Sequence, residues 1–280
     1  MGVILADLTT GLIENGGVHR VESERIEADL SYPDDGLNRL YQVEEDSYWF
    51  KHRNSCFGHL VEKYSRGGVF LDVGGGNGVV SKALQDKGSQ IVLVEPDPSG
   101  CRNAAKRGVR NIFSGTLGDL PLREEAEISS IGAFDVIEHI EDDFGALEEM
   151  HSFLSDDGHL FVSVPAFNFL WSEEDVHAGH FRRYPKKSLA DLVQRAGFEV
   201  VETGYLFSVL YIPILILRSI PSFLGLFRIK NGSVNRDHGA NGGLISGFIS
   251  RRLKSEFARL KRGSSKMFGS SVYLVARKSS

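Results

Sequence analysis

Apolar residues along the middle of the chain fall into short runs separated by longer amphipathic stretches. The runs Gly68–Val73, Gln90–Glu95, Arg110–Phe113, Ala126–Phe134, His159–Pro165, Phe198–Tyr205 and Ser271–Lys278 predict seven strands. Between them, Gly78–Lys87, Gly100–Arg107, Asp142–Leu154 and Lys187–Ala196 read as helices, and an aromatic-bearing helix is predicted from about Tyr41 to Ser65. Strands that alternate with helices of this length imply βαβ units and a mostly parallel sheet. Right-handed crossovers then place helices on both faces, giving a doubly wound α/β fold. Residues 1–40 are polar and weakly periodic and read as an N-terminal arm. Residues 41–205 form the expected catalytic domain, 206–269 a helical insertion, and 270–280 the last strand of the same sheet.

Composition narrows the class. With 280 residues and 41% hydrophobic content, the chain can bury one good core. Two cysteines, Cys56 and Cys101, form no metal-type spacing and suit a reducing compartment. The first residues lack the basic-then-apolar pattern of a secretory signal, so a cytoplasmic location is expected. The net charge of −5 conceals an asymmetry: from Leu206 onward there are 13 Lys or Arg and two acids, a net +11, whereas the preceding 205 residues carry 19 bases and 35 acids, a net −16. An acidic body without a recognition module argues against a nucleic-acid partner.

The first predicted strand runs into Leu71-Asp72-Val73-Gly74-Gly75-Gly76-Asn77-Gly78 and then into a helix. Glycines here let a ligand approach bare backbone, and the helix start offers unpaired N–H groups to an anion. A dinucleotide fingerprint G-x-G-x-x-G needs glycine at position 79, where Val79 stands. The second strand ends in Glu95-Pro96-Asp97, and a carboxylate there can accept hydrogen bonds from both hydroxyls of a ribose.

Together these segments resemble the class I S-adenosylmethionine-dependent methyltransferase superfamily, in particular its quinone-biosynthesis-like branch. Asp72, Gly74, Gly76 and Gly78 match the first motif, with Asn77 inside it. Glu95, followed by Pro96, matches the ribose-binding acid, and Phe134-Asp135-Val136-Ile137-Glu138-His139 resembles the segment after the fourth strand. The resemblance implies a Rossmann-like methyltransferase fold, S-adenosylmethionine as cofactor, and Phe134 and Asp135 at the cofactor. It also implies that Arg53 contacts the cofactor carboxylate. After the third strand the family carries an acid; here Ser114-Gly115-Thr116-Leu117 stands instead, which leaves Thr116 and Leu117 on the adenine side without it.

Displacement at a sulfonium methyl relies chiefly on orientation and desolvation, and a hydroxyl acceptor also benefits from a base. His139, just past the fourth strand, is the candidate base; capping the following helix is the alternative. Trp171, His177, His180, Arg182 and Tyr184, in the loop after the fifth strand, are candidate acceptor contacts. The D-x-H-x-x-H spacing of Asp175, His177 and His180 lacks a recognised metal geometry, and no metal is expected. The expected acceptor is a small molecule, a glycan or a lipid-linked compound, with methylation on oxygen. A nicotinamide-dependent oxidoreductase and an inactive binding subunit of the same fold are the competing readings.

The run Tyr205–Leu217 is almost wholly apolar but interrupted by Pro213 and ended by Arg218, short of the ~20 residues that span a bilayer. A lid, a dimer interface and a peripheral contact with the inner face of a membrane all remain open to it. The basic residues around 251–262 favour an anionic surface.

Overall fold

The computed structural model describes residues 5–21, 36–45, 47–225 and 244–279. Strands β1 (Leu12–Asn15) to β9 (Ser271–Lys278) build one nine-stranded sheet. Its other members are β2 (Val18–Val21), β3 (Val69–Val73), β4 (Gln90–Glu95), β5 (Ile112–Ser114), β6 (Ile128–Phe134), β7 (His159–Pro165) and β8 (Phe198–Leu206). The spatial order is β1-β2-β5-β4-β3-β6-β7-β9-β8. The five strands from β5 to β7 in that order are mutually parallel, and β9 slots antiparallel between β7 and β8.

Seven of these strands are the predicted ones. The other two correct the strand count, and they come from the segment expected as an arm. Gly16 and Gly17 both have positive φ (62° and 81°), the conformation of a two-residue hairpin turn, and they fold Leu12–Asn15 back onto Val18–Val21. β2 then meets β5 through His19 and Phe113. Just before this hairpin, the short helix α1 (Leu5–Leu8) buries Leu5 completely in the main core.

Strand periodicity sorts the core into two faces. Val69, Leu71 and Val73 of β3 point toward the helices α6 (Asp143–Phe153) and α8 (Lys186–Arg195), where Leu147, Met150, Leu189 and Val193 are buried. Phe70 points the other way, into a cluster with Phe57 and Leu60 of α3 (Tyr48–Tyr64), Val80 and Leu84 of α4 (Val79–Asp86), and Leu253 and Leu260 of α11 (Leu244–Leu260). On that side too, α5 (Pro98–Arg107) sets Cys101 and Ala104 against Leu93.

The remaining helices frame the carboxyl ends of the strands. α2 (Gly36–Tyr41) precedes α3, and α7 (Glu173–Ala178) follows β7. After β8 come α9 (Tyr211–Ile214), a π-helical stretch over Leu215–Ser219, and α10 (Ile220–Phe223). The chain leaves β8 through Phe207 at φ 58°. Glu256 of α11 secures that turn, accepting from the Phe207 and Ser208 backbone N–H groups at 2.7 and 2.8 Å while pairing with His52 at 2.8 Å.

Candidate active site

Parallel pairing of β3 with β4 (Asp72 beside Leu93, Val73 beside Val94) brings the carboxyl ends of the two strands together. The chain leaves β3 with positive φ at Gly74 (63°) and Gly76 (54°), and a Cβ at Gly74 would lie 2.9 Å from Val136. The result is an open loop of bare backbone. Glu95 closes it from the side: its carboxylate accepts from Gly76 N–H at 2.7 Å and from Asp97 N–H at 2.8 Å. Burial pushes the Glu95 carboxyl up to about 7, against the pull of those two N–H donors, and the nearby acids Asp97 and Asp72 add to the rise. Asp72 is likewise pushed up by burial, to about 6, while a 2.5 Å hydrogen bond from Ser81 Oγ and the charge of Arg53 hold it down.

Helix α3 carries Arg53 into the same cleft. Its guanidinium lies 4.8 Å from the Trp49 ring centroid and 5.0 Å from that of Phe50, and donates to Asp135 Oδ2 at 2.7 Å. Asp135 sits at positive φ (60°), pinned by Ser163, whose hydroxyl donates to Oδ1 at 2.9 Å. Phe134, stacked on Phe57, completes this wall.

Beyond Asp135 the chain makes a 3₁₀ turn, Ile137–His139, at the end of β6. His139 meets His180 edge to face, with ring centroids 4.7 Å apart, and is hydrogen-bonded to the backbone of Gly179. Burial first, and the neighbouring His180 second, lower the His139 imidazole to about 4. Glu138 is 1% exposed, and burial together with the charge of Asp135 holds its carboxyl well above the usual range. His180 Nδ1 is 2.9 Å from Asp175 Oδ1, and Arg183 grips both oxygens of Asp175 at 2.7 and 3.0 Å.

These walls enclose a cleft of about 1200 Å³, lined also by Leu37 and Leu40 of α2 and by Ile214 and Arg218 from the helical turns after β8. That exceeds the ~300–1,000 Å³ usual for one small ligand, so two molecules fit.

A family model described as a methyltransferase domain matches residues 46–203, more than half the chain. The chain belongs to the class I S-adenosylmethionine-dependent methyltransferase superfamily. Among the relatives of this methyltransferase-family chain is a probable S-adenosylmethionine-dependent methyltransferase of Mycolicibacterium smegmatis, 26% identical over 171 residues. The match covers 60% of this chain and 66% of that relative. A probable S-adenosylmethionine-dependent methyltransferase of Mycobacterium tuberculosis is 25% identical over 166 residues, 58% of this chain and 60% of the relative. The chain thus matches less than two thirds of the length of these curated relatives. A S-adenosylmethionine-dependent methyltransferase structure from Thermotoga maritima shares the fold at a TM-score of 0.53 and 20% identity, covering 88% of this chain and 96% of that one. A Haemonchus contortus phosphoethanolamine N-methyltransferase shares it at 0.56 and 13%, covering 89% and 58%.

Most of the predicted cofactor residues of this methyltransferase domain line the cleft: Arg53, Asp72, Gly74, Gly76, Asn77, Glu95, Pro96, Thr116, Leu117, Phe134 and Asp135. Gly78 does not line it. A Cβ there would lie 2.8 Å from both Ala104 and Val109, so this glycine lets α4 pack against α5. The Asn77 amide is turned to the protein, donating to Leu37 O at 2.7 Å and Glu44 Oε1 at 3.1 Å. Thr116 is exposed and bonded to Asp119, leaving Leu117 as the buried contact.

On the acceptor side His139 and His180 reach the cleft, whereas Trp171, His177, Arg182 and Tyr184 lie outside its lining. Extended backbone alternates, so Arg183 faces inward while Arg182 and Tyr184 both turn to Asp143, at 2.7 Å each. His177 is exposed on α7. Glu138 and Leu37 are lining residues outside the candidate set, whereas Ile214 and Arg218 lie in and at the end of the apolar run for which a lid is one of the open readings. Glu138 had a signal, an acid beside a histidine at a strand's carboxyl end; Leu37, at the start of a six-residue helix, had none.

Proposed function

We propose that the chain is an S-adenosylmethionine-dependent methyltransferase that methylates an oxygen of a small amphipathic or lipid-linked acceptor. The observation that carries this is the two-part cleft, a donor half built for a nucleoside with an amino-acid end and an acceptor half opening under an apolar lip.

The donor half fits the cofactor on its own geometry. Glu95 is fixed by two backbone N–H groups beside bare glycine backbone, ready to accept from a ribose diol. Arg53 and Asp135 present opposite charges side by side, matching the carboxylate and ammonium of a zwitterion. Bound there, S-adenosylmethionine supplies a methyl group on a sulfonium. Trp49, Phe50 and Phe134 give the adjoining space aromatic walls, and displacement at carbon depends on orientation and dryness.

In the acceptor half His139 is uncharged at neutral pH and faces the acceptor as a neutral imidazole, although burial weakens it as a base. Ile214 and Arg218 line the cleft, and next to them in the chain Ile212, Ile216 and Leu217 are more than half exposed. Such a lip suits an acceptor with an apolar tail. The decisive experiment is a transfer assay that follows S-adenosylhomocysteine release and a mass gain on the acceptor, across phenols, free sugars and polyprenyl-linked compounds. Turnover with a tailed hydroxyl compound is expected; turnover only with amines would overturn the oxygen assignment, and none with S-adenosylmethionine would overturn the activity.

A further inference from the structure

Three side chains that the donor half does not use converge on the acceptor side. Glu138, His139 and His180 each offer one ligand atom, and these atoms all lie within 4.8 Å of one another. All three residues line the cleft. Glu138 is the telling one: it is 1% exposed, yet its Oε2 is buried without a hydrogen-bond partner. Buried polar atoms are normally satisfied, and an orphan calls for an explanation, an ion among them.

The two histidines are held as metal-bound histidines are. His180 uses Nδ1 for Asp175, which is itself clamped by Arg183, and this leaves Nε2 as its ligand atom. A carboxylate behind a ligating imidazole fixes its tautomer and orientation. His139 is anchored by the backbone of Gly179, a second common orienting contact. Asp175 therefore stands behind the site as a support. Of Asp175, His177 and His180 only His180 is a ligand: His177 is exposed on α7, and the other two ligands come from the turn at the end of β6.

We propose that Glu138, His139 and His180 bind one divalent transition-metal ion, with open positions facing the acceptor half of the cleft. Two imidazoles and one carboxylate suit zinc, cobalt, iron or manganese rather than magnesium, which prefers all-oxygen surroundings. Metal–ligand distances of about 2.0–2.2 Å would need side-chain adjustments of roughly 1 Å. The role in catalysis rests on the methyltransferase reading, whereas metal binding itself does not. In that role the ion holds the acceptor oxygen and lowers its pKa, so the hydroxyl proton leaves to solvent and His139 serves as ligand instead of base.

The test uses the full chain stripped with a chelator and titrated with cobalt(II), followed by its visible absorption bands and by metal analysis after desalting. One cobalt per chain is expected, with affinity falling by at least about 100-fold in both Glu138→Gln and His180→Asn. Circular dichroism and S-adenosylhomocysteine calorimetry on the same samples check that the variants fold. No stoichiometric cobalt in the unaltered chain overturns the site, as does binding that both substitutions leave unchanged. Failure of S-adenosylhomocysteine to bind would sink the donor reading and leave the cobalt titration to stand on its own.

Discussion

Glu95 shows how burial and hydrogen bonding compete at one residue. Two backbone N–H donors favour the carboxylate, yet desolvation prevails and holds the group near 7. The ordinary value is 4.5, so between about pH 4.5 and 7 the folded, ligand-free protein keeps a proton that the unfolded chain has released. Asp72, raised from 3.8 to about 6, acts in the same direction. Stability of the ligand-free protein therefore gains from these groups at low pH and loses that gain as pH rises through the window. Ligand affinity should run the opposite way, because an ionised Glu95 is the better acceptor for ribose hydroxyls. We expect S-adenosylhomocysteine to bind more tightly as pH rises through 7 in calorimetry, and Glu95→Gln to flatten that dependence. Glu95→Ala should cost about 1–3 kcal/mol of binding at pH 8, the scale of lost charge-assisted hydrogen bonds. A flat pH profile in the unaltered protein would remove Glu95 from the ribose site.

Among the elements, those buried on both faces were the legible ones. The central strands carry unbroken apolar runs because helices cover both sides, and Asp72 and Glu95 stand out as acids ending such runs. The β1–β2 hairpin was not read, since its strands have only four residues each and a half-exposed pattern. Its glycine pair was nonetheless a usable signal. α2 was illegible for a different reason: it is held by distant partners rather than by its own periodicity. Leu37 O accepts from Asn77, Asn103 donates to Asn38 Oδ1 at 2.9 Å, and the adjoining Glu44 forms a buried pair with Arg107 at 3.0 Å. Arg107→Ala would leave Glu44 buried without its charge partner, a loss on the order of 3–5 kcal/mol in such sites. Releasing the 36–44 segment relieves that loss without unfolding the sheet. Hydrogen exchange in this segment should accelerate, and S-adenosylhomocysteine should dissociate faster, with little change in the exchange of β3 and β4. Unchanged exchange across 36–44 would show that the pair does not hold this segment.

Over the whole molecule, charge and apolar exposure are distributed unevenly, and together they make a testable case for a membrane surface. The segment from Leu206 onward carries a net +11 on an otherwise acidic chain. Arg251, Arg252, Lys254, Arg259, Lys261 and Arg262 of α11 and its end are exposed. No helix among the described residues is long and apolar enough to cross a membrane. Instead the helical turns after β8 expose large apolar side chains, Leu217 at 66% and Phe223 at 91%, beside Ile214 and Arg218 at the cleft. Water-facing side chains of this size in one short segment mark a contact surface. We propose that this segment docks on an anionic leaflet, which would bring the acceptor half of the cleft to a tailed substrate. Each base near such a leaflet adds about 1 kcal/mol, and salt screens that attraction, whereas burial of the apolar lip is insensitive to salt. Flotation should therefore occur with phosphatidylserine-containing vesicles, weaken with ionic strength, and fail with neutral vesicles. The double substitution Leu217→Asp, Phe223→Asp alters only exposed positions, so it should abolish flotation while leaving S-adenosylhomocysteine affinity and melting temperature near those of the parent. Absence of flotation at low salt, or flotation that survives the double substitution, would overturn the membrane reading and leave the lip as a lid or a contact between chains.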